Sequence, residues 1–415
     1  MDTMYEKAAG LDVHQKTIVA CVRKMQPQGG ITDEVRTFGT MTKDLLEMSD
    51  WLANEGVTHV AMESTGVLWK PVWNILDGGQ FELLLVNPRE LKRAPGRKSD
   101  VSDSQWIAQL LQCGLLRSSF VPSRPLRELR DLTRQRTQLT REQTRIVNRI
   151  HKTLEDANIK LGAVASDVVG KSGRAMLQAL VAGERDPAKL ADLAKGRLRG
   201  KILQLKDALQ GNLTEHHVFL LRTLFEHLQY LEQQVDAYSQ RIDACLHPFL
   251  DPEQLQRLDE IPGVNRRTIE NVVAEIGTDM SRFPDEQHLS SWAGMCPGNE
   301  QSAGKCTRRR TTKGDSWLRS ALTEAAWAAG RTKESYLGAL FRRQSARRGK
   351  KRALIAVGHT LLVIFYHMLK TNVPYNDLGP DFFERLKPEQ YRRYLVKRLE
   401  SLGFSVELKP RDKAA

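Results

Sequence analysis

Cysteine is scarce, and the five present (Cys21, Cys113, Cys245, Cys296 and Cys306) are scattered with no C-x-x-C pair. That spacing excludes a zinc ribbon or a disulfide framework, and a reducing cytoplasm is the expected setting. The opening MDTMYEKAAG lacks the basic and apolar regions of a secretory leader. Long apolar runs are also missing except for one, Ala353 to Leu369, which contains His359 and His367 and is barely long enough to span a bilayer. It is expected to be a buried core helix, and no membrane partner is expected. Basic charge is lacking in the first 116 residues, which hold twelve Lys or Arg against fifteen acids.

The rest of the chain is basic. The formal charge is +13 over 415 residues, enough for two or three domains. Residues 305 to 352 carry fifteen Lys or Arg against three acids, and residues 117 to 152 carry ten against three. A polyanionic partner is the first implication, held by one part of the chain and processed by another.

The hydropathy pattern predicts an α/β head followed by an all-α remainder. AAGLDVHQ, TIVACVRK and ITDEVRTFGT read as a three-strand meander with a PQGG turn. TKDLLEMSDWLANEG, VLWKPVWNILDGG and DSQWIAQLLQCG read as helices, with VTHVAMES and FELLLVN as strands between them. The order β-β-β-α-β-α-β-α matches a ribonuclease H-like architecture over residues 1–116. Residues 117–252 read as a helical arm. Leu129, Leu132, Leu139, Ile146, Ile150 and Leu154 form one stripe, and Leu221, Leu224, Leu228, Leu231, Val235, Tyr238 and Ile242 form a heptad seam. This predicts a coiled-coil hairpin that also serves oligomerisation, with a less regular Gly- and Ala-rich patch at 161–200.

Residues 253–370 form a third, mainly helical domain. It opens on LDEIPGVNRRTIENVVAEIG, which is either half of a helix-hairpin-helix or a plain helical turn, since Asn265 stands where the second glycine would be. A loop, PGNEQSAGKCTRRRTTKGD, follows a short helix. Residues 371–415, with four prolines, read as an appended tail.

Four acids in the head are candidates for one site. Asp12 lies inside an apolar strand, where a carboxylate is costly without a partner or a metal. Glu63 ends the fourth strand, and Asp100 and Asp103 share one face at the start of the last helix. Oxygen-only ligands favour Mg²⁺ or Mn²⁺. Each acid alone also has a structural reading, as a helix N-terminal or loop-capping residue. His14 shares a strand face with Asp12. Ser302 lies in QSAGK, with Lys305, Arg308, Arg309, Arg310 and Lys313 as candidate phosphate binders. A serine in a basic loop is ordinarily a hydrogen-bond donor to phosphate, and a nucleophile only when activated.

GLDVHQK, AMESTG, PGRKSDVSDSQWIAQLL, IPGV, and SSWAGMCPGNEQSAGK with TTKGDSWLRSALTEAAWAA together resemble the DEDD-and-serine transposases of insertion sequences that encode a structured guide, or bridge, RNA. The resemblance covers roughly residues 5–160 and 255–345. It implies a RuvC-like head whose metal ligands are Asp12, Glu63, Asp100 and Asp103, and a serine domain in which Ser302 attacks DNA to form a phosphoserine link. It further implies donor and target DNA and the bridge RNA as partners, a tetrameric homo-oligomer in which one subunit's head completes its site with another's serine domain, and action at the bacterial nucleoid. Gln301 and Ala303 depart from the serine and glycine of many relatives. A junction-resolving endonuclease needing only the four acids, or a non-catalytic nucleic-acid-binding protein, is the rival expectation.

Overall fold

The computed structural model describes residues 4–27, 29–88, 91, 102–297, 301–302, 305–306, 311 and 313–408. These form two compact units, Met1–Pro122 and Ser123–Ala415.

The first unit is built on a five-stranded sheet. β1 (Lys7–Val13), β2 (Thr17–Met25) and β3 (Ile31–Gly39) form the antiparallel meander. α1 (Thr42–Asn54) stops before Gly56, whose φ of 72° suits glycine, and leads into β4 (His59–Glu63). α2 (Trp69–Leu76), β5 (Glu82–Val86) and α3 (Asp103–Gln112) complete the unit. The strand order is β3-β2-β1-β4-β5, with β1, β4 and β5 parallel. Parallel neighbours require crossover connections, and α1 and α2 supply them. This is the ribonuclease H-like arrangement expected from the element order.

Strand alternation divides the core between two faces. Ala9, Leu11, Val13, Val60 and Met62 pack with Leu45, Met48, Leu52, Val72 and Leu76 of α1 and α2. Ala8 and Ala61 point the other way and pack with Trp106, Ile107, Leu110 and Leu111 of α3. Leu11, Met48, Leu52 and Met62 are fully buried, each stabilising the fold by roughly 1.5–3 kcal/mol.

Gly10 sets how closely α3 lies on the sheet. A Cβ there would overlap the Ser104 carbonyl oxygen and the Ala108 amide nitrogen, and stand 3.0 Å from Ala108 Cα. Backbone cannot yield as a side-chain tip can. Gly10→Ala is therefore expected to destabilise this unit by about 3 kcal/mol, lowering Tm by roughly 6–10 °C. A calorimetric scan checks this, and an unchanged Tm would contradict the packing.

The second unit is helical. α4 (Arg124–Asp156) buries Leu126, Leu129, Leu139, Ile146, Ile150 and Leu154. Leu132, expected on that stripe, is half-buried, while Thr133 and Arg136 take buried positions. α5 (Leu161–Val164), α6 (Lys171–Val181) and α7 (Pro187–Asp192) lie in the stretch read as irregular, and α8 (Ile202–Ala208) follows it. α9 (Glu215–Leu246) returns antiparallel to α4: the Asn212 amide donates to the Ala157 carbonyl at 2.9 Å, and His217 Nε2 lies 2.9 Å from Asp156. Leu221, Leu228, Leu231 and Val235 share a core with α4, and Met176, Leu177, Leu190 and Leu205 of the short helices join it.

α10 (Pro252–Asp259), α11 (Arg266–Ile276), α12 (Glu286–Trp292), the short strands β6 (Gln301–Ser302) and β7 (Lys305–Cys306), α13 (Ser316–Ala329), α14 (Tyr336–Arg348) and α15 (Lys350–Thr371) follow. Among the described residues, α15 is long and apolar enough to cross a membrane. Here it packs against α12, α13 and α14 as a core helix. Its Leu361, Leu362 and Phe365 are fully buried, and the Tyr366 hydroxyl donates to the Phe283 carbonyl at 3.2 Å. α16 (Phe382–Leu386) and α17 (Pro388–Glu400) bury none of their residues.

Candidate active site

In the first unit the register of β1 and β4 decides where the acids go. Leu11 pairs with Met62, so Asp12 and Glu63 are the next residues on adjacent parallel strands. Asp12 alternates with Gly10 and Ala8, and Glu63 with Ala61, so both carboxylates lie on the face covered by α3. That helix runs antiparallel to β1. Its Gln112 carbonyl accepts from the Met4 and Tyr5 amides at 2.7 and 3.2 Å, while its Ser104 carbonyl sits over Gly10. Asp103, the first residue of α3, therefore belongs to the same edge as Asp12 and Glu63.

Each element at this edge is fixed locally. The Ser102 side chain caps α3 in a reciprocal box with Gln105, which holds the turn bearing Asp103. The helix N-terminus brings its positive end toward the acids. The Ser64 amide donates to the Val86 carbonyl at 2.9 Å, extending the sheet past Glu63. The Thr65 hydroxyl donates to Glu63 Oε1 at 2.8 Å, a contact the sequence reading missed although the hydroxyl stands two residues after the acid in AMEST. His14 Nε2 donates to Asp12 Oδ2 at 3.1 Å, with the Asp12 side chain 21% exposed.

Among the described residues, no group of three or more His, Cys, Asp or Glu side chains is gathered tightly enough to hold a metal. Asp100 lies outside the described residues. The donor chemistry at the edge nonetheless fits a hard cation: Mg²⁺ commonly takes only one or two carboxylates, filling its remaining positions with water and substrate phosphate.

The second unit holds Ser302. Where the sequence suggested a plain loop, Gln301 pairs with Cys306, Ser302 with Lys305, and Pro297 with Thr311, so a β-hairpin carries the serine near its turn. Two paired residues on each side are too few to leave a hydropathy alternation, which accounts for the difference. Arg308, Arg309 and Arg310 lie outside the described residues. Lys313 is exposed at the foot of the hairpin.

That foot is clamped by backbone contact. A Cβ on Gly314 would overlap the Ala293 carbonyl and the Gly294 amide nitrogen, and Gly294, at a φ of 65°, meets Gly314 in return. Arg319 donates to the Gly294 carbonyl. Asp315 Oδ1 then caps α13, accepting from the Trp317 and Leu318 amides at 2.8 and 2.9 Å.

An ionic network ties this foot to α4. Arg134 donates to both Glu275 oxygens at 2.7 and 2.8 Å and to Asp315 at 3.2 Å. Arg130 donates to the Ala274 and Glu275 carbonyls at 3.1 and 2.6 Å. Arg136 and Glu270 form a second pair at 2.5 Å, both buried. Burial pushes the Glu275 carboxyl up to about 7, against the downward pull of Arg134 and Arg130.

A carboxyl with a raised folded value contributes stability that is complete below its unfolded value of 4.5 and is lost as pH rises through about 7. Glu275→Gln lacks this titration. Between pH 4.5 and 7.5 the natural protein is expected to lose roughly 3 kcal/mol relative to the variant. Urea unfolding of the two across that window checks it, and parallel pH profiles would contradict it.

Two family profiles match this chain. One, described as a transposase (DEDD_Tnp_IS110), covers residues 9–159. The other, described as transposase IS116/IS110/IS902 family, covers residues 255–362. The pilin gene-inverting proteins of Moraxella bovis and Moraxella lacunata are each 30% identical over 122 residues, 29% of this chain. The chain matches only 38% of the length of those two relatives. The "Mini-circle putative transposase for IS117" of Streptomyces coelicolor is 24% identical over 325 residues, covering 70% of this chain and 75% of its own. Among solved structures, RuvC of Thermus thermophilus matches 27% of this chain and 99% of its own at 12% identity, with a TM-score of 0.22.

Proposed function

We propose, for a chain that carries both transposase domains of the IS110 family, that it cleaves and rejoins donor and target DNA through Ser302, at sites chosen by a structured guide RNA. The observation that supports this best is the placement of Asp12 and Glu63 side by side under the N-terminus of α3, in a chain that also presents Ser302 on a clamped hairpin.

In this reading Asp12, Glu63, Asp100 and Asp103 hold Mg²⁺ or Mn²⁺. Bound there, the cation would neutralise the scissile phosphate and favour its attack. Thr65 orients Glu63 and His14 orients Asp12 through their hydrogen bonds. Ser302 Oγ forms a bond to phosphorus as the bond to the leaving strand's oxygen breaks; the serine proton passes to solvent and the leaving oxygen takes one up. A hydroxyl of the incoming strand then attacks the phosphoserine, which forms the new phosphodiester and frees Ser302. The number of phosphoester bonds is conserved, so strand exchange needs no external energy source. Lys305, Arg308, Arg309, Arg310 and Lys313 neutralise the DNA backbone beside the serine.

The proposed division of labour is residues 1–116 for the metal, 117–252 for the helical, coiled-coil and oligomer-forming arm, 253–370 for the serine, and 371–415 as a tail. A tetramer would let one subunit's metal edge serve another's Ser302, at the nucleoid of a bacterial cytoplasm. The test combines the purified protein, RNA transcribed from the DNA flanking its gene, and supercoiled DNA. A covalent protein–DNA adduct that forms with Mg²⁺ and disappears with chelator is the expected result. Cleavage without an adduct would replace this reading with that of a junction-resolving endonuclease.

A further inference from the structure

The second unit carries a trough of which the chemistry above uses only Lys313, at one end. It follows α13, bordered by α4 and α11 toward the Ile-Pro-Gly-Val turn and by Lys313 and Gly314 at the foot of the Ser302 hairpin. At the turn end is a concavity of about 420 Å³ walled by Arg141, Gly263, Asn265, Arg267 and Ala325. At the hairpin end is one of about 620 Å³ walled by Lys313, Gly314, Arg319 and Thr323. Between them a small cavity at Trp317, the waist, shares Asn271 and Ala321 with the first and Ser320 with the second, and Glu324 lines all three parts.

The walls are fixed in place. Gly263, at a φ of 83°, lies so close to α13 that a Cβ would stand 2.5 Å from the Ala325 carbonyl oxygen and 2.7 Å from Ala329 Cα. The Asn265 side chain accepts from the Thr268 amide at 2.9 Å and caps α11, whose first turn borders the trough. At the waist, the guanidinium groups of Arg134 and Arg141 lie 5.7 and 5.2 Å from the centre of the Trp317 ring. Arg134 is committed to Glu275 and Asp315. Arg141, Arg267 and Lys313, from three separate elements, are exposed along the trough. Glu324 is its one exposed acid among the described lining residues, and it accepts from Ser320 Oγ at 3.4 Å. From Ser316 to Ala328 the floor extends about 18 Å at 1.5 Å per residue, the length of roughly five stacked nucleotides.

A long, open trough with spaced cations and an aromatic at its waist suits a polymer of phosphates better than a small molecule, which favours an enclosed apolar pocket. We propose that it is a track for the phosphodiester backbone of a single nucleic-acid strand, gripped by Arg141 and Arg267 at one end and by Lys313 where it reaches the Ser302 hairpin. This rests on the nucleic-acid reading of the chain, which the test below separates from it.

The full chain is titrated with fluorescent 20-nucleotide single strands, one DNA and one RNA of the same sequence, over a range of salt. Arg141→Gln with Arg267→Gln is expected to weaken binding about tenfold and to reduce the slope of log affinity against log salt by about 1.4, as for two lost phosphate contacts. Arg141→Lys with Arg267→Lys retains the charge and so the salt slope, which separates phosphate contact from a packing defect. Arg222→Gln with Arg241→Gln, on α9, removes equal charge away from the trough and is expected to bind as the natural protein does. A loss confined to one oligonucleotide assigns the track to DNA or to RNA. Unchanged binding by the Arg141/Arg267 glutamine variant, or an equal loss in the α9 variant, overturns the track while leaving the nucleic-acid reading intact. Failure of the natural protein to bind either strand overturns both.

Discussion

Asp12→Asn is expected to lower DNA cleavage by about 10³-fold or more, roughly 4 kcal/mol in the barrier, while nucleic-acid affinity changes by less than about twofold. Asparagine preserves the shape of the side chain and removes the charge that a divalent cation needs. Asp12 sits at the strand end beside Glu63, and asparagine in its place can still accept the His14 hydrogen bond. The cations proposed to bind phosphate belong to other parts of the chain, and binding is therefore expected to survive. Single-turnover cleavage with Mg²⁺, together with binding measured in the same buffer, separates the two effects. Full cleavage by the variant would remove the acidic edge from the chemistry.

Ser302→Ala is expected to abolish the covalent protein–DNA adduct and to reduce strand exchange by at least about 10⁴-fold, because the link proposed needs the serine oxygen and alanine carries none. The hairpin itself is held by backbone pairing of Gln301 with Cys306 and Ser302 with Lys305, and by the Gly294–Gly314 contact at its foot. Loss of one hydroxyl leaves those contacts in place, so the variant should fold and bind DNA. Denaturing gels read the adduct directly, and sequencing of product joints reads exchange. Retained exchange would show that water or a strand hydroxyl is the nucleophile.

Much of the first unit was legible because its signals are local. The apolar runs around GLDV and VAME, the glycines that end α1 and α3, and the order of elements together point to the neighbours of β1, and with them the adjacency of Asp12 and Glu63. The second unit was read less fully. Helices α5 to α8 are short and draw their stability from a core shared with α4 and α9, so no single stretch of 161–208 announces itself.

The buried arginines were missed for a related reason. An apolar stripe assigns Arg136 to solvent, yet its partner Glu270 stands 134 residues away and brings it into the core. Thr133, on the same stretch of α4, is also buried, and its hydroxyl donates to the Arg130 carbonyl at 3.1 Å. The hairpin around Ser302 was hidden because ladders of two residues leave no hydropathy pattern. The tail was read as an appendage from its prolines; its helices bury none of their residues, while Asp377 accepts from the Tyr336 amide at 2.9 Å and the Phe382 and Phe383 rings lie against Tyr336.

The most direct measurement of the acidic edge is anomalous diffraction from crystals of the full chain soaked in Mn²⁺. The account predicts a peak about 2.1 Å from carboxylate oxygens of both Asp12 and Glu63. Saturating Mn²⁺ that leaves this edge empty while occupying another site would contradict it.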